Sequence, residues 1–305
     1  MPGDTWIWKP VQVMVGAGEV TDEPLGTKEK FWVKNPEDGH PWLFKFARAI
    51  HGDVRGEDWA EWIVHNLAEA IGIPTAEVRP AQCAGRRGIV SRLITDPGVN
   101  QRLVHGNSLL AEANQGYDPG NRRENTGYTV EAVLSALRNV GPPRGYEDLS
   151  CLSGFDVWAG YLLLDAWVGG RDRHHENWAV VSDPSNRTLA PSFDHGNALG
   201  FQEGDARKQS CLDDPKQLLR WAQRGRSHHF SGKPELVDLA HRALSVASPE
   251  ARAYWHHAFS SFDEDISRSI VNCVPRVVMS EVSGNFVIAL LASNRRRLFD
   301  GYPAF

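Results

Sequence analysis

The sequence has little of what marks several large protein classes. Its four cysteines (Cys83, Cys151, Cys211, Cys273) are far apart and form no CxxC pair, which excludes a zinc ribbon or a disulfide scaffold and fits a reducing compartment. No long apolar run is present. Near the C-terminus the longest is Phe286 to Ala292, well short of the ~20 residues of a bilayer-spanning helix. Residues 1–20 contain Asp4, Lys9 and Glu19 and lack a basic start followed by an apolar stretch, so they do not read as an export signal. Positive charge is not in excess either: Lys+Arg 33 against Asp+Glu 38 gives a formal net charge of −5, with no global field for nucleic acid or an anionic membrane. The expectations are a cytoplasmic protein, no direct nucleic-acid binding and no membrane insertion.

What remains is an ordinary globular composition in a chain of 305 residues, 41% hydrophobic and 23% charged, enough for one large domain or two lobes. Up to about residue 94 the pattern is β-rich with one helix. Trp6–Val15 and Leu25–Val33 suggest strands, and Trp42 to Phe46 is an apolar run carrying one lysine, as in a buried strand. Trp59, Ile63, Leu67 and Ala70 recur at helical spacing over residues 57–71, and Gly72-Ile73-Pro74 stops that helix. Val78–Pro80 and Ile89–Ile94 read as further strands. The stretch from Asp96 to Thr126, rich in Gly, Asn and Pro, reads as loop with at most short helices. Helices are then expected at 129–139, 155–168, 236–246, 249–260 and 285–299.

The chemistry is concentrated after the apolar helix at 155–168. Gly169-Gly170-Arg171-Asp172-Arg173-His174-His175-Glu176-Asn177-Trp178 leads into an apolar strand, then a turn at Asp183–Asn186, then Leu189-Ala190-Pro191-Ser192-Phe193-Asp194-His195-Gly196. A hairpin of this size returns the chain on itself and would bring Asp194 beside Asn177 and within reach of Asp172. Mg²⁺ takes hard oxygen donors, few of them from protein, and phosphoryl transfer needs that metal together with a carboxylate for the attacking hydroxyl. Asp followed by Asn five residues on, then Asp-x-Gly after the next strand, is a kinase-like order. A zinc site built from His174, His175 and His195 beside Asp172 competes with this reading, but adjacent histidines in an extended segment point to opposite sides. His228-His229 and His256-His257 read as surface or packing residues.

Lys45 is the only charge in its strand, and a half-buried ammonium needs a partner; a nucleotide phosphate would supply one, and a snorkelling edge lysine is the bland alternative. Glu57 and Glu61 are both placed to brace it. Periodicity puts Glu61 nearly opposite the Trp59/Ile63/Leu67 stripe, where it would be solvated. Gly26-Thr27-Lys28 sits in a turn that could lie over phosphates.

In this order the pieces resemble the C-terminal kinase region of HipA-family serine/threonine kinases, from about residue 24 to 201. Leu25-Gly26-Thr27-Lys28-Glu29-Lys30-Phe31 is similar to that family's phosphate loop, and Trp42-Leu43-Phe44-Lys45 to its ATP-lysine strand. Glu61, followed by Leu67-Ala68 and Gly72-Ile73, is similar to its helix glutamate. Asp172-x-His174-x-x-Asn177 resembles its catalytic loop, and Leu189-Ala190-Pro191-x-Phe193-Asp194 its metal-binding strand end. The loop serine that is often autophosphorylated in the family is Leu25 here, and the usual asparagine before the catalytic loop is Gly170. The N-terminal domain of long family members has no room in this chain.

The resemblance implies an α+β, bilobal protein-kinase-like fold: a small β-rich N-lobe with one helix (1–94) and a larger, mainly helical C-lobe (95–305), with ATP and Mg²⁺ between them. It implies Asp172 as the residue that orients and deprotonates the acceptor hydroxyl, with Asn177 and Asp194 on the metal. Lys45 would meet the phosphates, braced by Glu61, and Gly26, Thr27 and Lys28 would form the phosphate loop. His174 or Arg173 would support the catalytic loop. The implied acceptor is a protein or peptide Ser/Thr hydroxyl, and an antitoxin-like partner is known for some members. The segments 172–178 and 193–196 are also similar to phosphatidylinositol 3/4-kinases, which leaves a phosphoinositide or small-molecule hydroxyl as an alternative acceptor. A nucleotide-binding module without transfer is a further alternative.

Overall fold

A computed structural model describes residues 6–14, 21–22, 29–35, 38–50 and 53–299; Gly26, Thr27 and Lys28 of the phosphate-loop reading lie outside the described residues. The N-terminal part is built on strands β1 (Val11–Val13), β2 (Thr21–Asp22), β3 (Lys30–Lys34) and β4 (Pro41–Phe46). They are followed by a small β5–β6 ribbon (Ala49–Ile50, Asp53–Val54), helix α1 (Glu57–Ala70), β7 (Val78–Cys83) and β8 (Arg86–Arg92). The six-stranded sheet runs β1-β7-β8-β4-β3-β2, antiparallel except for the parallel β1–β7 pair. Alternation along β4 decides what each face does. Trp42, Phe44 and Phe46 are buried on one side, where Phe44 stacks on Phe31 at 5.0 Å between ring centres. Leu43 and Lys45 share the other side.

The remainder is mostly helical. β9 (Arg102–His105), α2 (Gly106–Ala113) and α3 (Val130–Ala136) precede α4 (Gly154–Val168), and β10 (Ala179–Ser182) and β11 (Arg187–Leu189) follow it. Six helices follow among the described residues: α5 (Asp205–Asp213), α6 (Pro215–Gln223), α7 (Leu236–Val246), α8 (Pro249–Ser260), α9 (Glu264–Asn272) and, last, α10 (Glu281–Phe299). All fifteen residues of α4 are buried, so it is the axle of this part, packed by α7, α8 and α10. A capping box between Ser153 and Asp156 starts it, and Gly169, at φ 68, ends it. Each fully buried leucine among Leu162, Leu163 and Leu164 contributes roughly 1.5–3 kcal/mol by removal from water.

Several expectations need correction. The segment 96–126 is not only loop: Arg102–His105 is a strand, paired antiparallel with β10 in a three-stranded β11-β10-β9 sheet. Its residues alternate too briefly to be seen among the surrounding turn residues. Helices α5, α6 and α9 were not anticipated, because they are short and strongly polar. Asp214 with Pro215 at the start of α6 is nevertheless an N-terminal signal, and the Asp214 carboxylate accepts from the Lys216 backbone N–H at 2.9 Å. α10 begins at Glu281 rather than Asn285.

α4 and α8 cross closely at Gly160, where a Cβ would stand 2.4 Å from the Trp255 ring. That ring is fully buried, and its Nε1 donates to the Asp156 carbonyl at 2.8 Å, so it cannot swing away cheaply. Gly160→Ala gains about 1 kcal/mol of helix propensity, yet overpacking should outweigh it and leave the protein ~1–3 kcal/mol less stable. Urea unfolding checks this; an unchanged or raised midpoint would contradict the packing.

Candidate active site

The loop from Gly169 to Trp178 leaves a buried helix and enters a buried strand, and its shape is fixed by one ion pair. Asp165 lies inside the apolar helix α4, where an unpaired carboxylate would be very costly. Arg173 answers it: Nε donates to Asp165 Oδ2 at 2.7 Å and Nη2 to Oδ1 at 2.8 Å, while Nη1 donates to the Asn177 carbonyl at 2.9 Å. Burial pushes the Asp165 carboxyl upward, against the pull of the Arg173 guanidinium. Tyr128 Oη adds a bond to the Arg173 carbonyl at 3.1 Å and receives one from Trp178 Nε1 at 2.9 Å. Arg173 is therefore the loop's fastener.

With the loop fastened, Asp172 and Asn177 project into a small cleft that Asp194 also lines. Asn177 Nδ2 donates to the Asp172 carbonyl at 2.7 Å. A carbonyl only accepts, so the amide orientation is settled and Oδ1 is the atom left for other ligands. His174 Nδ1 accepts the Glu176 backbone N–H at 3.1 Å, and burial lowers the basicity of this ring. Its observed work is to hold the loop backbone. His175 points into the core and shares a 2.5 Å hydrogen bond with Tyr117 Oη. Among the described residues no three His, Cys, Asp or Glu side chains gather as a metal cage.

Across the cleft, Lys45 Nζ lies 3.0 Å from Asp194 Oδ1 and 3.6 Å from Glu61 Oε1. Burial works against the ammonium, but the two carboxylates outweigh it and hold its pKa above the ordinary lysine value. Glu61 is only 3% exposed, so its solvated placement by periodicity is overturned. The N-terminal half of α1 is covered on every side, by the sheet on one flank and by the Asp194-His195-Gly196 turn on the other. Gly196 allows that approach: a Cβ there would stand 3.3 Å from Glu61 Oε2. Asp194 itself sits at φ 61, a left-handed conformation that few residues other than glycine, asparagine and aspartate adopt. Glu57, the other candidate, is turned toward Arg48 instead.

One residue of the site escaped the sequence reading. His229, between α6 and α7, places Nε2 2.9 Å from Asp172 Oδ1 and Nδ1 2.6 Å from the Arg122 carbonyl. Because that carbonyl can only accept, Nδ1 is the donor in that contact, and Nε2 faces the Asp172 carboxylate. His229 thus fixes one oxygen of Asp172 and leaves the other toward the cleft. The His228-His229 pair was visible in the sequence, but nothing local tied it to a loop more than fifty residues earlier.

The profile of the HipA-like C-terminal domain matches residues 24–265. The chain belongs to that family. No curated protein sequence matches it significantly. Among solved structures it is similar to the Helicobacter pylori proinflammatory kinase CtkA, with a TM-score of 0.70 at 16% identity over 95% of this chain and 94% of that one. It is also similar to Shewanella oneidensis MR-1 HipA, solved with HipB and its operator DNA, with a TM-score of 0.52 at 15% identity over 97% of this chain and 67% of the other. The fold is therefore the kinase-like α+β arrangement of the HipA-like family. No helix among the described residues is long and apolar enough to cross a membrane.

Removing one partner of the Asp165–Arg173 pair strands a buried charge. Arg173→Met should cost about 3–5 kcal/mol, and Asp165→Leu combined with it should recover much of that loss. A double-mutant cycle by denaturant unfolding measures the coupling, and strictly additive losses would contradict it.

Proposed function

We propose that the protein is an ATP- and Mg²⁺-dependent kinase that transfers the γ-phosphate to a Ser or Thr hydroxyl of a protein or peptide. The observation that supports this most is Lys45 held between Glu61 and Asp194, facing the loop that presents Asp172 and Asn177. A lysine so placed can meet nucleotide phosphates while Glu61 keeps it oriented. Asn177 Oδ1 and the Asp194 carboxylate are hard oxygen donors, few in number, as Mg²⁺ prefers. When bound, that ion neutralises charge on the phosphates. Leu43, on the same side of β4 as Lys45, and the partly buried Ile94, Leu103 and Phe193 around Ala179 and Ala190 offer apolar surface for a base.

In this reading the free oxygen of Asp172 takes the proton of the acceptor hydroxyl. The hydroxyl oxygen bonds to the γ-phosphorus as the bond to the β–γ bridging oxygen breaks, and ADP leaves with that electron pair. His229 keeps the carboxylate aimed, and Arg173 keeps the loop in place. Most of the acceleration comes from positioning and charge. An antitoxin-like partner rests on likeness to the HipA solved with HipB, and a cytoplasmic location on the family resemblance.

Asp172→Asn should retain nucleotide binding and lower turnover at least ~100-fold, the scale of lost general base catalysis. Asp194→Ala should abolish the Mg²⁺-dependent part of the thermal shift given by ATP. A nearly unchanged rate in the first variant, or a full Mg²⁺-dependent shift in the second, would overturn the assignment.

A further inference from the structure

Below the catalytic loop lies a cavity of about 200 Å³ that the proposed transfer leaves without a role. It adjoins the cleft by way of shared lining residues. Asn197 and Ala198 line both the catalytic hollow and an intermediate space, and Gly169, Arg171, Glu203 and Trp221 line both that space and the cavity. Arg171 directly precedes Asp172, so the lining of the cavity reaches the residue next to the proposed catalytic carboxylate.

The cavity is cationic in an otherwise acidic protein. Arg171, Arg207, Arg224 and Arg297 all line it, against the single carboxylate of Glu203. Arg297 is neutralised by Glu235. Among the described residues, Arg171, Arg207 and Arg224 pair with no carboxylate; Arg207 meets only the side-chain amide of Gln217, at 3.4 Å. Glu203 is itself engaged, accepting from Trp221 Nε1 at 3.0 Å. Three unpaired guanidinium groups less one carboxylate leave a surplus of two positive charges around one chamber. Guanidinium forks favour oxyanions. A lone carboxylate would neutralise half of that surplus, whereas a phosphomonoester carries about −1.5 to −2 at neutral pH.

We propose that this chamber receives a phosphomonoester already present on the acceptor polypeptide, so that the enzyme selects Ser/Thr sites near an existing phosphate. The selection rests on the kinase reading above, but the binding does not require turnover. The overall charge of −5 favours a soluble phosphopeptide over an anionic membrane as the carrier.

The test uses the full chain and a dye-labelled degenerate peptide pool with a central phosphoserine, the unphosphorylated pool as control, read by fluorescence anisotropy. Saturating adenylyl-imidodiphosphate and Mg²⁺ keep the nucleotide cleft closed to the probe. The phosphoserine pool should bind at least ~10-fold tighter than the control, the effect of one or two charge-assisted hydrogen bonds. Arg207→Gln with Arg224→Gln should erase that preference and leave the thermal shift by ATP and Mg²⁺ unchanged, since both side chains are exposed and outside the catalytic cleft. Equal binding of the two pools, or an undiminished preference in the double variant, would overturn the proposal. Tighter binding to vesicles containing phosphatidylinositol 4-phosphate than to the peptide pool would overturn the polypeptide carrier. Loss of phosphotransfer activity alone would count against the kinase reading and leave this binding result standing.

Discussion

The buried pair of Asp165 and Arg173 is the constraint on which the site depends. Both side chains are almost wholly removed from water, so each would be prohibitive alone, and the pair survives because each of the three guanidinium nitrogens donates a hydrogen bond. Two bonds close the fork on the carboxylate, and a third goes to the Asn177 carbonyl. That third bond converts a stability device into a positioning one. It ties the two ends of the 172–177 segment to the axle helix, so Asp172 and Asn177 cannot rearrange independently. Such a pair adds little net stability compared with an apolar core; its value lies in a single loop geometry.

The second constraint is electrostatic and crosses the cleft. Lys45 comes from the sheet, Glu61 from α1 and Asp194 from the chain after β11, and the attraction of both carboxylates to the one ammonium ties these three elements together. Lys45 and Asp194 satisfy each other at 3.0 Å. His229 plays the corresponding part for Asp172. Each charged group in the cleft therefore has a protein partner that keeps its orientation.

Much of the scaffold was legible because its periodicities are strong. β4 alternates cleanly, α1 carries an apolar stripe, and α7 and α8 span the residues read from the sequence. The loop that carries Asp172 and Asn177 and the Asp194 turn were legible as an order of residues flanking a hairpin. Glu61 was not, because the stripe argument assumes one wet face and α1 has none near its start. His229 was not, because its partner is brought to it only by the tertiary packing of the α6–α7 connection on the loop. Asp165 offered a signal that went unused: an acidic residue inside an otherwise apolar helix demands a buried cation, and Arg173 lies in the loop just beyond the helix end. The cationic chamber draws on four separate segments, so no local pattern could announce it.

The account stands or falls on whether these side chains transfer phosphate. Incubating the purified full chain with γ-labelled ATP, with Mg²⁺ or with excess chelator, and with a cell lysate as acceptor, tests it most directly. Label should appear on protein Ser or Thr with Mg²⁺ and vanish with chelator. A chain that binds nucleotide but labels nothing under either condition, or that labels equally without the metal, would contradict it.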